Sequence, residues 1–534
     1  MLPWQSVILD LEALDQAPVQ TADVCIIGAG AAGIALAVEC SRLGLTVLLL
    51  EAGGARFEAA SQSLYSSEIA GRPHTGIHDG RFRVFGGTTT RWGGQILELD
   101  PLDFEHRAWV PDSGWPIPKT ELTAAYARAL EIENVAPAIL NDRAVWDAVH
   151  TPVPDVGPGL EPFFTRFCPQ PDFAKLHRAF LETSPNVTVY LHANFCGFLL
   201  NEPAGAFTGV TCKTLAGQTH RFTARHYVLC AGAIETARLL LQPLAEDIAA
   251  PWNRSGLTGR FFQDHIDINV AKLVPIDHRA FHLWFDNIYL SGYRYIPKIK
   301  LSAQLQEEFG TLAVGASLHC QSARQSAVTG FRETLLALRR GGVKNLKAAQ
   351  LLAVVPASDI LIRKAWRRAR HHRAYNPDDN GVDLRVHCEQ APHPDSRITL
   401  ADDRDALGLF RTRLDWRIGE LELMTVQKFA NYAVQQFEAA GIARGTIYHE
   451  SLENLEAFAR HAVDTYHHMG TARMAVSADA GVVDPDCKLF GIDNGFVCSS
   501  AVFPTSGFSN PTHTILALAV RLAAHLARRQ DRIL

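Results

Sequence analysis

The first sustained apolar run of the chain, Val24-Cys25-Ile26-Ile27, stops at Gly28 and gives way to an alanine-rich stretch from Ala31 to about Leu43. A short apolar run bounded by glycine reads as a buried strand, and the alanine-rich stretch as a helix closed by Gly44. Leu45 to Leu50 then reads as a second buried strand, closing on Glu51. Strand, helix and strand in that order predict parallel pairing and a doubly wound sheet. Helical patterns recur at 121–133 and 515–529, and further strands at 187–192 and 227–231. Pieces suited to one nucleotide-binding sheet therefore occur early, in the middle and late.

Between them, 100–185 and about 266–451 carry aromatic residues, prolines and alternating patterns such as those at 383–387 and 397–400. These predict a mixed antiparallel sheet with helices, inserted into the first domain in more than one place. No internal repeat at solenoid periods and no low-complexity tract interrupts the chain. One segment differs in character: over 332–373, ten basic residues from Arg339 to Arg373 flank the apolar run Leu351-Leu352-Ala353-Val354-Val355. A solvated helical face, docking to a partner or electron acceptor, and weak attraction to an anionic membrane surface all fit that pattern.

Composition narrows the classes. With 534 residues the chain exceeds one compact core and suits several domain-sized units or one large two-domain enzyme. Hydrophobic residues at 47% and charged residues at 20% exclude disorder for most of it. The 51 Lys and Arg against 56 Asp and Glu leave a net charge of -5, so no global basic field exists to hold nucleic acid. The 10 cysteines are scattered without a C-x-x-C pair, which predicts reduced, mostly buried thiols and no metal site. The acidic amino terminus lacks the character of a secretory signal, and no apolar run approaches the roughly 18 residues needed to span a bilayer. A soluble cytoplasmic protein is expected.

Gly28-Ala29-Gly30-Ala31-Ala32-Gly33 satisfies G-x-G-x-x-G between a strand and a helix. Gly28 permits the tight turn, Gly30 lets amides approach a pyrophosphate, and Gly33 allows close helix–strand packing. Glu51 ends the next strand, where a carboxylate accepts from ribose hydroxyls, so an adenine dinucleotide is expected. Phe85-Gly86-Gly87-Thr88-Thr89-Thr90-Arg91-Trp92-Gly93-Gly94 is a loop rich in glycine and small donors, suited either to close approach or to an ordinary surface turn. Near the carboxyl end stand Tyr466-His467-His468-Met469-Gly470-Thr471 and Ser509-Asn510-Pro511-Thr512-His513-Thr514. Histidine is the usual proton acceptor near neutral pH, and asparagine holds an oxygen without charge.

Together with Cys230-Ala231-Gly232-Ala233-Ile234-Glu235, these motifs in their order resemble the glucose–methanol–choline oxidoreductase family from about Asp23 to the carboxyl end. The stretch 85–117 is most similar to the bacterial branch of pyranose oxidases and glycoside oxidoreductases. The resemblance implies an α/β fold, a Rossmann-like FAD-binding domain (1–99, 186–265 and 452–534) with an inserted α+β substrate domain built on an antiparallel sheet (100–185 and 266–451). It implies FAD contacts at Gly28, Gly30, Ala31, Ala32, Gly33, Glu51, Ala52, Gly86, Gly87, Thr88, Arg91, Trp92, Gly93, Gly94, Ala231, Ser500, Pro511 and Thr512. His467 takes the position of the family's proton acceptor, and Asn510 that of its second polar partner. Arg91 stands where covalently flavinylated relatives carry histidine, so noncovalent FAD is expected.

An alcohol yields hydride only when a base removes its hydroxyl proton beside a hydride acceptor, and no metal is required for that polarity. Candidate substrate contacts are His265, which reads equally as a structural hydrogen-bonder, His468, and Gln390, which reads equally as an ordinary strand residue. The expected activity is oxidation of a hydroxyl of a sugar, glycoside or related polyol to the carbonyl, with oxygen, a quinone or a protein as electron acceptor. A non-sugar alcohol, a non-redox or light-driven activity of the same family, and a flavin scaffold without catalysis are the rival readings.

Overall fold

The strand Thr21–Ile27 lies inside a parallel sheet, between Val47–Leu50 and Thr219–Leu229. The computed structural model describes residues 7–14, 21–137, 141–201, 205–244, 248–322 and 358–531. Beyond Val47–Leu50 come Val187–Leu191 and Val7–Asp10, again parallel, and Gly495–Val497 pairs parallel with the end of Thr219–Leu229. Phe207–Lys213 and Asn194–Leu200 extend the sheet antiparallel. Its central strands are apolar at successive positions because both faces are covered. Val24 and Ile26 face the core that holds Leu36, Leu516 and Leu522, while Cys25 and Ile27 face the core of Leu229, Val497 and Leu518. Each fully buried Val, Ile or Leu there contributes roughly 1.5–3 kcal/mol.

Helix Ala31–Arg42 packs along Thr512–Asp531, the helix that follows Pro511 directly. Proline suits that place because its missing N–H belongs to the first turn, where no intrahelical acceptor exists. A second sheet is antiparallel, in the order Ala443–Ile447, Ile266–Pro275, Val382–Cys388, Val314–Cys320, Tyr293–Leu301, Leu160–Phe167, Gln95–Ile96. The helix Glu420–Ala439 buries Val426, Phe429, Ala433 and Phe437 in the core on that sheet. The fold is thus the expected α/β nucleotide-binding unit joined to an antiparallel substrate-side unit.

Pairing crosses the expected boundaries. Gln95–Ile96 and Val463–Asp464 join the antiparallel sheet, and Ser67–Ile69 pairs with Phe410–Asp415 in a third, small sheet. Conversely, the helices Thr123–Ile132 and Phe173–Thr183, within 100–185, pack on Thr512–Asp531 and Ala31–Arg42. Composition describes whole stretches, whereas the crossing strands Gln95–Ile96, Val463–Asp464 and Ser67–Ile69 are two or three residues long. The strand expected over 227–231 stops at Leu229, where Gly232 opens the helix Gly232–Leu241.

Of the basic segment 332–373, the part before residue 358 lies outside the described residues. The remainder forms the helix Ser358–His371, in which Arg367 pairs with Asp286 (2.6 Å) and Arg368 stacks over Tyr289. Those cations are tied into the fold. Among the described residues, no helix is long and apolar enough to cross a membrane.

Candidate active site

The glycine turn meets two opposite demands. A Cβ on Gly33 would lie 1.8 Å from the Gly28 carbonyl oxygen, so the helix can approach the strand only without one. A Cβ on Gly30 would meet nothing within 4 Å, because that side faces open space. Glu51 at the end of the neighbouring strand accepts from the amides of Ala29 (2.9 Å) and Gly53 (2.8 Å). Burial raises its pKa, partly offset by those amides.

His467 sits on a loop pinned to the chain segment before Ile266–Pro275. Met469 and Gln263 exchange both backbone hydrogen bonds (2.8 and 3.0 Å), and Gly259 donates to the Thr471 carbonyl (2.7 Å). Tyr466 (φ 67°) and Thr471 (φ 83°) hold left-handed backbone, costly for residues with side chains and sustained here by these anchors. The Asp264 carboxylate gathers the loop, accepting from the His467 amide (2.9 Å), the Thr465 hydroxyl (3.1 Å) and His74 Nε2 (3.1 Å).

This network assigns the protons on His467. Asn510 Nδ2 donates to His467 Nε2 at 2.7 Å, and its Oδ1 accepts from Gln95 Nε2 at 2.6 Å, which leaves Nε2 with a lone pair. The other nitrogen, Nδ1, then carries hydrogen and donates to Thr465 Oγ1 (2.9 Å), whose hydroxyl in turn serves Asp264. His467 is therefore neutral, with its basic nitrogen beside the Asn510 amide. Burial pushes its pKa down to about 4, with the neighbouring His387 adding to the effect and the charge of Asp264 opposing it. His468 falls to about 3 for the same first cause, against the pull of Asp264. Burial raises Asp264, but the His74 hydrogen bond and the neighbouring imidazoles outweigh it and hold it well below the usual carboxylate range.

One cavity of about 610 Å³ joins the two regions. It is lined by Gly28, Gly30, Ala31, Ala32, Glu51, Ala52, Gly87, Thr88, Arg91, Trp92, Gly93, Ala231, Ser500, Pro511 and Thr512, and also by His467, His468 and Asn510. Of the expected FAD contacts, Gly33, Gly86 and Gly94 lie outside this lining. Gly33 packs on Gly28, Gly86 donates to the Ala29 carbonyl, and the Gly94 carbonyl accepts from Cys168.

Two expected substrate contacts require correction. Gln390 is fully buried, accepting from the Asp264 amide and Trp416 Nε1 (both 2.9 Å) and donating to the Arg417 carbonyl, so its polar atoms serve the fold. His265 is likewise buried and outside the lining, and faces His467 and His387. His513, in the first turn of the helix Thr512–Asp531, bonds Glu133 (2.8 Å).

The cavity fits FAD in its chemistry as well as its size. The open side of Gly30 admits a pyrophosphate, and Glu51 is placed for ribose hydroxyls. Within the same lining, the buried Arg81 Nη1 has no hydrogen-bond partner among the described residues and lies 3.8 Å from Glu235 Oε2. Gln95, Thr465, Asp264, Arg81 and Glu235 escaped the sequence reading. The position of Gln95 directly after the Gly93-Gly94 step and of Thr465 two residues before His467 was the available signal.

Cysteine and histidine spacing predicts no metal site, yet folding gathers ligand-type atoms from distant segments. Among the described residues, His265, His387 and His467, and likewise His74, Asp264 and His468, bring one such atom each within 4.8 Å of the others. No local spacing displays such groups.

Residues 23–79 match the FAD binding domain model, and residues 392–519 match the model described as GMC oxidoreductase. The fructose dehydrogenase large subunit of Gluconobacter japonicus is 24% identical over 94% of this chain and 97% of its own length. A 2-methyl-1,2-propanediol dehydrogenase of Mycolicibacterium austroafricanum is 26% identical over 61% of this chain, and the match spans about half (52%) of that protein. Pyridoxine 4-oxidase from Mesorbium loti shares the fold, with a TM-score of 0.54 at 17% identity over 95% of this chain and 99% of that one. The first matched segment holds Gly28 and Glu51, the second His467 and Asn510, and both line one cavity. The carboxyl-terminal segment carries the GMC oxidoreductase domain and the amino-terminal segment an FAD-binding domain, and the cofactor is FAD.

Proposed function

We propose that the protein oxidises a hydroxyl group of a sugar, glycoside or related polyol to the carbonyl, with His467 as proton acceptor. The observation that carries this reading is the 2.7 Å pairing of His467 Nε2 with Asn510 Nδ2 inside the cavity that also holds the glycine turn. FAD bound there supplies the hydride acceptor. An alcohol oxygen entering between these atoms gives its proton to Nε2 and accepts a hydrogen bond from the Asn510 amide. Gln95 keeps that amide turned with its N–H groups toward the substrate, because it occupies Oδ1. The low proton affinity of His467 keeps it neutral, and so competent as a base, at physiological pH.

Likeness to a fructose dehydrogenase subunit over nearly the full chain supports a sugar, whereas likeness to a 2-methyl-1,2-propanediol dehydrogenase favours a small diol as the second reading. Arg91 in the lining supports noncovalent FAD, since a guanidinium forms no flavin link. Oxygen, a quinone or a protein then reoxidises the enzyme. The ten cysteines, all free, support a reducing compartment such as the cytoplasm. A panel of sugars, glycosides, polyols and simple diols, added anaerobically and then in air, tests the reading. Bleaching of the flavin band by sugars or polyols is expected; bleaching by none of the panel would overturn it, and bleaching by diols alone would select the second reading.

A further inference from the structure

We propose that His265 and His387 carry the proton collected by His467 out of the cavity to Asp267, a relay that rests on the reading of His467 as proton acceptor. Strand register builds the path. Asp267 and His387 are direct partners where Ile266–Pro275 pairs with Val382–Cys388, His265 immediately precedes the first of these strands, and Val463–Asp464, on its other side, leads into the His467 loop. The resulting contacts are continuous. His467 Nδ1 lies 3.0 Å from His265 Nδ1, which lies 3.1 Å from His387 Nε2, and His387 Nδ1 lies 2.9 Å from Asp267 Oδ1.

Exposure rises from His265 outward. The His265 side chain is fully buried, while His387 and Asp267 expose 14% and 19% of theirs. The chain therefore leads from the cavity-lining His467 through the buried His265 to solvent.

When the alcohol O–H bond breaks, its proton forms an N–H bond at His467 Nε2 and makes an imidazolium. The enclosed site disfavours that cation, as the depressed proton affinity of His467 attests. The Nδ1 hydrogen lies between Thr465 Oγ1 (2.9 Å) and His265 Nδ1 (3.0 Å); it passes to His265 Nδ1, from there to His387 Nε2, and a proton leaves His387 Nδ1 through Asp267 to water. Each transfer between imidazoles breaks one N–H bond and forms another, the step to Asp267 breaks an N–H bond and forms an O–H bond, and release to water exchanges one O–H bond for another, with no change in electron count. Asp264 and Lys298 also face these imidazoles, and the Arg385 guanidinium, 2.8 Å from Asp267, holds that carboxylate ready. When oxygen or a quinone later takes up a hydride equivalent, its proton comes from His467 Nε2, and the relay runs inward to restore Nδ1–H.

The test follows protons and flavin separately. Holoenzyme in weak buffer with a pH-indicator dye is mixed anaerobically with a substrate that bleaches the flavin. About one proton per flavin is expected in solution as the band bleaches, and its uptake when air is admitted. In His387→Gln, release lags bleaching by at least tenfold, whereas His387→Glu, of the same shape but able to titrate, restores the coupling. No proton release from the parent enzyme, or undelayed release in His387→Gln, would overturn the relay. Bleaching at the parental rate in His467→Ala would instead overturn the base assignment beneath it.

Discussion

The protons on His467 are set by its neighbours rather than by the imidazole itself. Thr465 receives the Nδ1 hydrogen and hands its own to Asp264, so the basic nitrogen is left to face Asn510. Thr465→Val keeps the shape of the side chain and removes the acceptor. A lost neutral hydrogen bond is worth about 1 kcal/mol, which predicts flavin reduction slowed by roughly 5- to 10-fold with FAD retained; an unchanged rate in rapid-mixing experiments would count against the tautomer assignment. At this scale the sequence was legible where a chemical type recurs beside unusual neighbours, as in the Tyr466–Thr471 and Ser509–Thr514 stretches. It was illegible where a role depends on distant chain. Gln390 is an ordinary strand-end glutamine in sequence, and only the fold shows both ends of its amide consumed by Asp264, Trp416 and Arg417.

Among the elements, the β-α-β turn couples folding to cofactor binding through two glycines with different tasks. Gly33→Ala places a methyl group against the Gly28 carbonyl and must displace the helix from the strand. It is expected to lower the thermal midpoint and yield colourless protein. Gly30→Ala meets only the cavity, so the folded protein should keep its midpoint without cofactor yet bind FAD at least tenfold more weakly, as read by flavin fluorescence. Equal losses of stability in the two would contradict this division. The turn was readable because apolar runs and glycines are local signals. Ser67–Ile69, Gln95–Ile96 and Val463–Asp464 were not, since strands of two or three residues carry no periodicity and exist only because a partner strand lies beside them.

The whole molecule buries several imidazoles in the neutral state. Burial takes His177, His226 and His467 down to about 4 and His468 to about 3. Between the unfolded histidine value of about 6.5 and these values, the unfolded chain binds protons that the folded chain does not. Their stabilising effect is complete above pH 6.5 and is lost as pH falls toward 4. His192 and His282, lowered by burial but raised on balance by carboxylate partners, act in the opposite sense and are fewer. The thermal midpoint should therefore decline steadily from pH 7 to pH 5; a flat or rising midpoint would contradict the burial of neutral histidines. The two-unit architecture was visible from the recurrence of parallel-sheet pieces, while the site itself is assembled only when residues 23–97, 264–267, 382–390 and 465–512 meet. The most direct test of the whole account is anaerobic flavin reduction by an oxidisable sugar or polyol in the parent protein and in His467→Ala. The account predicts a yellow variant reduced about 10²- to 10⁴-fold more slowly; a yellow variant reduced at the parental rate would contradict it.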